Sequence, residues 1–515
     1  MDEGTRSYLG RSHPLRVSLS EKSADVIVVD GKRAVIDIQM VSQVNEGLNV
    51  NRIGIWKNVD LMTKEVTELN LTSPKTNTQQ NIKMSILNEV LQSDNLKTAY
   101  QNVVSNKGAC GVDKVNVEAL KLYLQKNWER LKTEIETGKY QPQAILGIEI
   151  PKRSGGARML GIPTVFDRMI QQAIHQVLSP MFEPEFSEFS YGFRPKRNAG
   201  QAVLQAQKYI NLGYNQIADI DLKQFFDTVN HDYLMSLLKR KLHDPLLLKL
   251  IWKYLRSPIA ISGQLHKRRS GVPQGSPLSP LLSNIVLNVL DKEMANRGLH
   301  FVRYADDFSI FLKSKRSANR VKRNISRFIK KTLHLEVNQS KSKLCIPHNF
   351  EYLGYGFVPT YKKGDKGKYQ LVVYKESLEV LKYKIKQITR KTIPASFDER
   401  ISRLNRLMYG WVNYFKHASI SNKLKYMDCW VRDRLRYCIW HDWKKPNRKM
   451  KNLIRLGKSK DEAYSWSRTR MGGWRVACSP ILGTTITINR LKQCGYKAFL
   501  DYYLNVSRIK YGINC

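Results

Sequence analysis

The chain has 515 residues and carries 86 Lys and Arg against 44 Asp and Glu, a formal net charge of +42. Hydrophobic residues make up 42% of the composition, which suffices for packed cores in about three or four domains and excludes a disordered or acidic scaffold. Because so large a charge repels itself in a compact fold, it predicts a polyanionic partner, and we favour nucleic acid over an anionic membrane surface.

The first 75 residues differ from the rest of the chain. Val26–Val29 and Val35–Ile38 flank an Asp-Gly pair and predict two short strands joined by a hairpin turn. The residues do not reveal a function for this part. The polar segment Ser73–Gln80 contains a proline and predicts a linker to the next region of the chain.

Three further regions come after the linker. A helix is predicted from Ile82 to about Val104, where apolar residues recur at helical spacing. Between Ile145 and about Phe357, strand-like and helical runs alternate, which predicts an α/β fold. After about Lys375 the chain is mainly helical and strongly basic: residues 381–450 hold 18 Lys and Arg against 5 Asp and Glu, a net +13.

Adjacent carboxylates at Asp306 and Asp307 lie between two strand-like runs within Phe301–Phe311, so a hairpin would place them on its turn. A solvated Asp-Asp turn explains these two letters by themselves. An earlier strand-like run, however, ends in a third acid, Asp221. Carboxylates on rigid neighbouring strands supply the oxygen ligands that a two-metal nucleotidyl-transfer site needs, so the three acids together predict such a site.

Two loops accompany these acids. Gly271–Pro280 predicts a tight loop at which a backbone approaches a nucleotide closely, with Gln274 available for a hydrogen bond. Ile150–Arg158 predicts a basic hairpin with a Gly-Gly tip, which alone would be an ordinary exposed turn. We expect the remaining nearby acids, Asp219 and Asp227, to be solvated at a turn or strand end.

The order of the segments GGARMLGIP, SYGFRP, DLKQFFD, PQGSPLSP, YADD and EYLGYGF resembles the fingers and palm of reverse transcriptases, and most closely those encoded by bacterial group II introns. The later segments RLNR and GWVNYF are similar to the maturase or thumb part of the same proteins. The resemblance runs from about residue 82 to the end. It implies an α/β right-hand polymerase, with fingers and an antiparallel palm sheet, followed by an all-helical thumb or maturase domain.

The resemblance also implies domain limits and roles for matching residues. The limits are 1–80 for an N-terminal extension and linker, 81–375 for fingers and palm, 376–450 for the thumb or maturase domain, and 451–515 for a basic DNA-contacting region. Two Mg²⁺ ions would be bound by Asp221, Asp306, Asp307 and the backbone carbonyl of Leu222. The nucleotide would be contacted by Lys152, Arg158, Phe226, Gln274 and Lys341. Phe226 would exclude a 2′-hydroxyl by size.

Nucleic-acid contacts are implied in three further places. Tyr352-Leu353-Gly354 resembles the primer-gripping turn. The helix from Ile82 and the Gly108–Gly111 loop resemble the extension that holds the template. In the basic helical region, interleaved aromatic and basic residues suit RNA, whose unpaired bases stack on such planes. The candidate RNA contacts there are Arg406, Lys423, Lys425, Arg432, Arg434 and Arg436. The helically spaced apolar residues are expected in the core, and they are Leu404, Leu407, Trp411 and Tyr414.

Cysteine usage and the chain ends bear on compartment and partners. Seven scattered cysteines without a CxxC pair predict a reducing cytoplasm and no structural zinc. This pattern is similar to the endonuclease-lacking subgroup called group IIC. No apolar stretch has spanning length, and the acidic start Met1–Gly4 lacks a signal-peptide pattern, so we expect a bacterial cytoplasmic protein without a membrane partner.

The implied activity is Mg²⁺-dependent, RNA-templated addition of deoxynucleotides to a primer, which copies intron RNA into cDNA during retrohoming, together with assistance to intron splicing. The implied partners are group II intron RNA, an RNA template with a DNA primer, dNTPs and target DNA. One alternative is a reverse transcriptase of another lineage, such as a retron or phage-defence enzyme, although GWVNYF and the basic tail argue against it. The other is an RNA-binding splicing factor without polymerase activity, against which the three intact acids argue.

Overall fold

The computed structural model describes residues 85–151, 157–360 and 367–510. The hairpin predicted at 26–38 and the linker predicted at 73–80 lie outside these residues. The elements as far as the candidate YADD hairpin are, in chain order, α1 (Ile86–Val90), α2 (Ser93–Ser105), α3 (Leu120–Glu136), β1 (Ile145–Pro151), β2 (Ala157–Ile162), α4 (Val165–Phe182), α5 (Ala199–Asn211), β3 (Gln216–Ile220), α6 (Phe225–Thr228), α7 (His231–Lys239), α8 (Pro245–Arg256), β4 (Ile259–Ile261), β5 (Gln264–His266) and α9 (Ser279–Asn296).

The rest of the described chain begins with the hairpin strands and ends in a long helical region. Its elements are β6 (His300–Tyr304), β7 (Asp307–Leu312), α10 (Lys315–Thr332), β8 (Lys343–Cys345), β9 (Glu351–Tyr352), β10 (Tyr355–Pro359), β11 (Tyr369–Val373), α11 (Lys375–Ile388), α12 (Phe397–Tyr414), α13 (Ser421–Asp442), α14 (Pro446–Arg455), α15 (Lys460–Ser467), α16 (Gly473–Ala477), α17 (Pro480–Gly483), α18 (Ile488–Gln493) and α19 (Phe499–Lys510). The mainly helical character predicted after about Lys375 is therefore confirmed over the described residues.

The single helix predicted from Ile82 to about Val104 is wrong, because the described part of it is two helices, α1 and α2. Gln92 between them is extended, with φ −59° and ψ 140°. The Asn95 side-chain amide donates to the carbonyl of Val90 (2.9 Å) and to that of Ala173 (3.1 Å), so it satisfies the broken helix end and ties it to α4. Helical periodicity alone did not distinguish one helix from two that share a buried face.

The central sheet has the strand order β6-β7-β3-β8, and every neighbouring pair is antiparallel. Side chains alternate between its two faces. Ala218, Ile220 and Phe308 pack in one hydrophobic cluster with α9 and α10. Ile217 and Phe311 pack in a second cluster with α5 and the C-terminal helices. The sheet is thus buried between two cores, and a residue's position along its strand decides which core it faces.

Two smaller sheets complete the strands, with the orders β2-β1-β4-β5 and β11-β10-β9. The helices from α11 onward belong to the second cluster, to which they contribute buried residues from Leu381 to Tyr503. Leu404, Leu407 and Trp411 are buried there, as their spacing predicted, whereas Tyr414, which was expected with them, is only partly buried. Over the ranges described, every helix is too short or too polar to cross a lipid bilayer.

Candidate active site

The β6–β7 hairpin carries two of the three predicted carboxylates. Tyr304 pairs with Asp307, so Ala305 and Asp306 form the turn itself. Ala305 has a φ of +56°, the left-handed conformation that a two-residue hairpin turn requires. Asp306 therefore projects from the turn, while Asp307 is the first residue of β7 and is largely buried.

The third carboxylate, Asp221, directly follows β3. The β3–β7 register ends with Ile220 opposite Phe308, so the next position on each strand brings Asp221 beside Asp307. Alternation places both on the sheet face opposite α10. The Asp221 backbone is fixed, because its N–H donates to Ser342 Oγ (3.0 Å) and its carbonyl accepts from the Asn338 N–H (2.8 Å).

Electrostatic coupling links the hairpin turn to the neighbouring strands. Burial raises the pKa of Asp306, and the negative charge of Asp221 raises it further. The guanidinium groups of Arg158 and Arg303 act in the opposite direction on this pKa. Two acids that repel each other while desolvated are a natural place for a cation.

The donor set suits a hard divalent cation, because carboxylate and carbonyl oxygens are the ligands that Mg²⁺ prefers. Leu222 forms a bridge with Val337, and the flanking bonds are Lys223 N–H to Glu336 O and Asn338 N–H to Asp221 O. In this antiparallel pattern the Leu222 carbonyl points away from the segment that pairs with it. Among the described residues, no three Asp, Glu, His or Cys side chains stand close enough together to hold a metal ion as they are.

The predicted sugar-contacting residue, Phe226, lies in α6, and its backbone is fixed by the glycine-containing loop. The Val272 N–H donates to the Phe226 carbonyl (2.6 Å), and the rings of Phe225 and Phe226 meet edge to face at 5.2 Å. A Cβ at Gly271, where φ is +83°, would lie 2.7 Å from the Phe226 oxygen. Gly271 is thus needed for close contact with the protein's own backbone. The approach of this loop to a nucleotide stays a prediction.

Gln274 and Gly275 dock the same loop on β2. The Gly161 N–H donates to the Gln274 carbonyl (2.7 Å), and a Cβ at Gly275 would lie 2.6 Å from the Gly161 oxygen. Arg158 lies on the same strand, three residues before Gly161. The loop and the predicted phosphate-binding arginine are therefore positioned by one strand.

Of the other two predicted phosphate contacts, Lys341 belongs to the described residues and Lys152 does not. Lys341 precedes Ser342, whose hydroxyl bonds Asp221, so it lies next to the carboxylate site. Lys152 lies outside the described residues. The hairpin predicted around it is confirmed on both sides, since β1 and β2 pair antiparallel from Leu146–Ile162 to Pro151–Ala157.

Asp219 is not solvated as expected. It lies within β3, is only 6% exposed, and accepts a hydrogen bond from Ser309 Oγ (3.0 Å). Because it faces the same side as Asp221, it adds a buried acid beneath the site. Asp227, by contrast, is exposed, in agreement with the sequence-based expectation.

Sequence reasoning missed the residues that hold the hairpin turn from behind. Arg303 is fully buried and forms a bidentate ion pair with Asp291 of α9, with Nε–Oδ1 2.8 Å and Nη2–Oδ2 2.6 Å. Its Nη1 donates to the Ala305 carbonyl (2.8 Å) and to Asn284 Oδ1 (3.0 Å). The turn that carries Asp306 is thereby bonded to a helix under the sheet. An arginine directly before the tyrosine of YADD was the only sequence signal for it.

Gly192, in the SYGFRP segment, packs directly against the turn and also bonds Asn284. A Cβ there would lie 2.2 Å from the Ala305 nitrogen, and the Gly192 carbonyl accepts from the Asn284 amide (2.9 Å). The preceding residues run beside β6, with the Tyr191 N–H bonded to the Arg303 carbonyl (2.9 Å). Only glycine allows the chain to contact the turn so closely.

The predicted primer-gripping turn joins β9 to β10 and is buried. Leu353 and Gly354 both have positive φ, +52° and +76°, as a tight hairpin turn requires. The Leu353 carbonyl accepts from the Tyr414 hydroxyl (3.1 Å), and the Gly354 carbonyl from the Tyr374 N–H (3.0 Å). The turn therefore fixes the helical region against the strands.

The six predicted RNA contacts divide by exposure. Arg406, Lys423 and Lys425 are exposed. Arg432 contacts Cys429 Sγ (3.0 Å) within α13. Arg434 donates to Thr389 Oγ1 (2.9 Å). Arg436 is also bonded within the protein, since its guanidinium donates to the Ile486 carbonyl (3.1 Å) and pairs with Asp433 (2.8 Å).

The antiparallel sheet with acids at the ends of adjacent strands has the architecture of a right-hand polymerase, and comparison with known proteins agrees. Residues 150–357 match the family Reverse transcriptase (RNA-dependent DNA polymerase), and residues 378–457 match the Group II intron, maturase-specific domain. Protein YkfC of Escherichia coli K12 is 31% identical over 316 residues, covering 53% of this chain and 82% of that protein.

Two intron-encoded relatives extend the likeness. The group II intron-encoded protein LtrA of Lactococcus lactis is 28% identical over 445 residues, covering 68% of this chain and 74% of LtrA. A putative COX1/OXI3 intron 2 protein of Saccharomyces cerevisiae is 27% identical over 358 residues, covering 57% of this chain and 41% of that protein. The chain belongs to the group II intron-encoded reverse transcriptases and maturases. It is an RNA-directed DNA polymerase with a splicing maturase function, of a family that depends on divalent metal.

Proposed function

We propose that this protein copies its intron RNA into cDNA with two Mg²⁺ ions held by Asp221, Asp306, Asp307 and the Leu222 carbonyl. The observation that carries the proposal is the meeting of Asp221 with the β6–β7 hairpin at the ends of adjacent strands, with the pKa of Asp306 raised by burial and by Asp221. Mg²⁺ bound there would activate the primer 3′-hydroxyl and stabilise the charge on the leaving pyrophosphate.

The chain's own residues would position the reactants. Arg158 acts electrostatically on Asp306, and this proximity to the acids supports its proposed role of binding the triphosphate of a dNTP. Arginine suits this task because its planar fork binds phosphate oxygens in pairs. Lys152 and Lys341 would add positive charge, Gln274 would support the nucleotide, and Phe226 would meet the sugar. Such positioning supplies much of the rate enhancement in phosphoryl transfer.

The proposed organisation keeps fingers and palm at 81–375, thumb or maturase at 376–450, and a DNA-contacting region at 451–515, with an extension at 1–80. The turn at Tyr352-Leu353-Gly354 would place the primer. Intron RNA would be bound partly by the exposed cations Arg406, Lys423 and Lys425. We propose target DNA as a further partner and the bacterial cytoplasm as the location.

Replacing Asp306 by Asn tests the proposal. The substitution keeps the shape of the turn but removes a charged ligand, so primer extension on an RNA template should fall by orders of magnitude. Affinity for intron RNA should stay within about twofold, because the substitution leaves the exposed cations of the helical region unchanged. Asp227→Asn, at an exposed acid outside the carboxylate set, is the matched control and should extend primers normally. Substantial extension by Asp306→Asn would disprove the assignment.

A further inference from the structure

Helix α10 carries a row of cations that the polymerase site does not use. Its 18 residues contain eight Lys or Arg and no Asp or Glu. Helix α3, of similar length, has four basic and three acidic residues, so the overall charge of the chain does not explain this difference. Seven of the cations on α10 are exposed. Lys315, the first residue of the helix, lies to one side, and the other six share one face: Arg316, Arg320, Arg323, Arg327, Lys330 and Lys331.

The six cations form one stripe. At 3.6 residues per turn they fall within an arc of about 100° and extend over about 22 Å of helix. The opposite face, with Ala318, Ile325 and Ile329, is buried in the core. Lys322 points away from the stripe, since its Nζ donates to the Ser342 carbonyl (2.8 Å).

No acidic side chain of α10 compensates for this charge, although the helix dipole favours Lys330 and Lys331 in the last turn. Among the described residues, none of the six cations has a carboxylate within ion-pair distance. Like charges spaced three and four residues apart destabilise a helix. The charge of Arg316, at the N-terminal turn, is also opposed by the helix dipole, which favours anions there. A stripe of this kind costs stability in the isolated protein, so a partner that neutralises it is the simplest physical reason for its presence.

A pocket lies at the C-terminal end of the stripe. It has a volume of about 370 Å³, and its lining includes Arg327 and Lys331 of the stripe, the ring of Phe328, and Arg297, which follows α9. Arg297 also pairs with Glu293. Cations from two helices thus surround one open cavity, which suits an oxyanion such as a backbone phosphate.

The stripe lies on the far side of the sheet from the candidate active site. Helix α10 packs against β3 and β7 on the face of Ala218 and Phe308. Asp221 and Asp307 belong to the opposite face by strand alternation. A nucleic acid on α10 therefore occupies a different surface from the template and primer.

We propose that the exposed face of α10, together with the pocket at its end, binds the phosphate backbone of folded intron RNA. The inference rests on the proposed use of intron RNA as the partner. Four of the six cations are arginines, which suit paired contacts to phosphate oxygens. A lipid surface fits poorly, because no large hydrophobic side chain of α10 is exposed and its apolar face is already buried. The six cations of the stripe are suited to phosphate oxygens, so we expect contacts to the RNA backbone.

The test replaces Arg316, Arg320, Arg323 and Arg327 together by Gln. Removal of each phosphate contact should reduce the slope of log affinity against log salt by about one, and at physiological salt the Kd for the intron transcript should rise roughly tenfold or more. Primer extension on a short RNA template with a DNA primer should not change. The variant should unfold at the same or a slightly higher temperature, because repulsion within the helix is relieved.

A matched control removes four surface cations that have acidic partners. Arg130, Lys132, Lys292 and Lys375 pair with Glu134, Glu136, Glu185 and Glu379, and changing these four to Gln gives the same net charge as the α10 variant. Its Kd and salt slope should stay near those of the wild type. If the two variants bind RNA equally well, the α10 proposal is wrong.

Further binding measurements test which ligand the α10 surface prefers. Both variants are measured on the intron transcript, on unrelated structured RNA of equal length, on duplex DNA and on phosphatidylserine vesicles. Loss of affinity by the α10 variant for DNA or vesicles but not for RNA would overturn the proposal, and so would loss of primer extension on the short template. If the wild-type protein binds the intron transcript no more tightly than unrelated RNA, the proposed partner is wrong. The α10 surface is tested separately, by comparing the Kd of the α10 variant with that of the control variant on both RNAs. The pair Arg323→Gln and Arg327→Gln should give about half of the slope change and serves if the fourfold variant does not fold.

Discussion

The turn that bears Asp306 depends on a single buried guanidinium. Arg303 neutralises Asp291 and also bonds the Ala305 carbonyl and Asn284. Two fully buried charges are tolerable only while both are present and well bonded. The ion pair thus stabilises the fold, while the bond to Ala305 sets the direction in which the next residue, Asp306, projects.

We expect Arg303→Met to lower the free energy of unfolding by about 3–5 kcal/mol, because it leaves the Asp291 carboxylate buried without a partner. Adding Asp291→Leu should restore most of the stability, since an apolar pair can replace a buried ion pair. The kcat of primer extension should stay low in the double variant, because the Ala305 carbonyl still lacks its donor. Urea unfolding and steady-state kinetics measure the two effects, and a double variant with wild-type kcat would contradict the positioning role.

Phe226 provides a second prediction at this scale. Its carbonyl is bonded to Val272 (2.6 Å), so shortening the side chain should leave the backbone in place. Phe226→Val should raise the efficiency of ribonucleotide incorporation relative to deoxyribonucleotide by roughly tenfold or more, because space opens for a 2′-hydroxyl. Single-nucleotide extension with each substrate gives the ratio. An unchanged ratio with intact dNTP incorporation would place the sugar selection at another residue.

At the scale of single elements, buried acids at helix starts decide where the chain turns. Asp167 in the first turn of α4 accepts hydrogen bonds from the hydroxyls of Tyr140 (2.7 Å) and Thr164 (2.7 Å), so it joins the segment before β1 to the helix. Asp244 at the start of α8 accepts from Leu247 N–H (3.0 Å) and Leu87 N–H (2.8 Å). The two acids differ in protonation behaviour.

Burial raises the pKa of Asp167 to about 6, despite its hydrogen bonds. Between about pH 4 and 6 the folded protein therefore binds this proton more tightly than the unfolded chain, and the stability from this group is lost as the pH rises through about 6. Relative to Asp167→Asn, the wild type should lose up to about 3 kcal/mol of unfolding free energy from pH 4 to 7. Denaturant unfolding across this range measures the difference.

Asp244→Asn is the control of opposite sign. Burial opposes ionisation of Asp244, but hydrogen bonds from Leu247, Ser85, Leu87 and Leu246 outweigh it and lower the pKa. Its stabilising contribution is therefore present above the ordinary pKa of an aspartate and is lost as the pH falls. A difference between wild type and Asp167→Asn that does not vary with pH would contradict the raised pKa.

For the whole molecule, the polymerase acids and the exposed cations of the helical region are different residues on different elements. The acids lie on the face toward the C-terminal helices, and the exposed Lys423 and Lys425 belong to α13 in that helical region. Splicing is proposed to use the RNA's own active site, with the protein stabilising the folded RNA. The polymerase acids and the RNA-binding surface should then be separable by mutation.

We expect Asp306→Asn to accelerate intron splicing at moderate Mg²⁺ as well as the wild type does, because it retains the RNA-binding surface. Lys423→Glu with Lys425→Glu should impair splicing, because the new charges repel phosphates. Lys132→Glu with Lys492→Glu, which makes the same change of charge elsewhere, is the control. Splicing rates of the intron transcript are the measurement. A polymerase-dead protein that binds the intron without assisting splicing would show that the roles are not separate.

The local sequence determined the antiparallel hairpin with its acids, the basic helical C-terminal region and the buried spacing of Leu404, Leu407 and Trp411, because these depend on short-range periodicity and turn chemistry. The tertiary structure alone decided that Asp219 is buried, that Arg303 pairs with Asp291, and that Arg434 and Arg436 bond to the protein. Charge and hydrogen-bonding groups have many possible partners in sequence, and only the packing of distant elements selects one. The same reason applies to α10: the sequence shows its cations, but which face is covered by the core is settled by the sheet on which the helix lies.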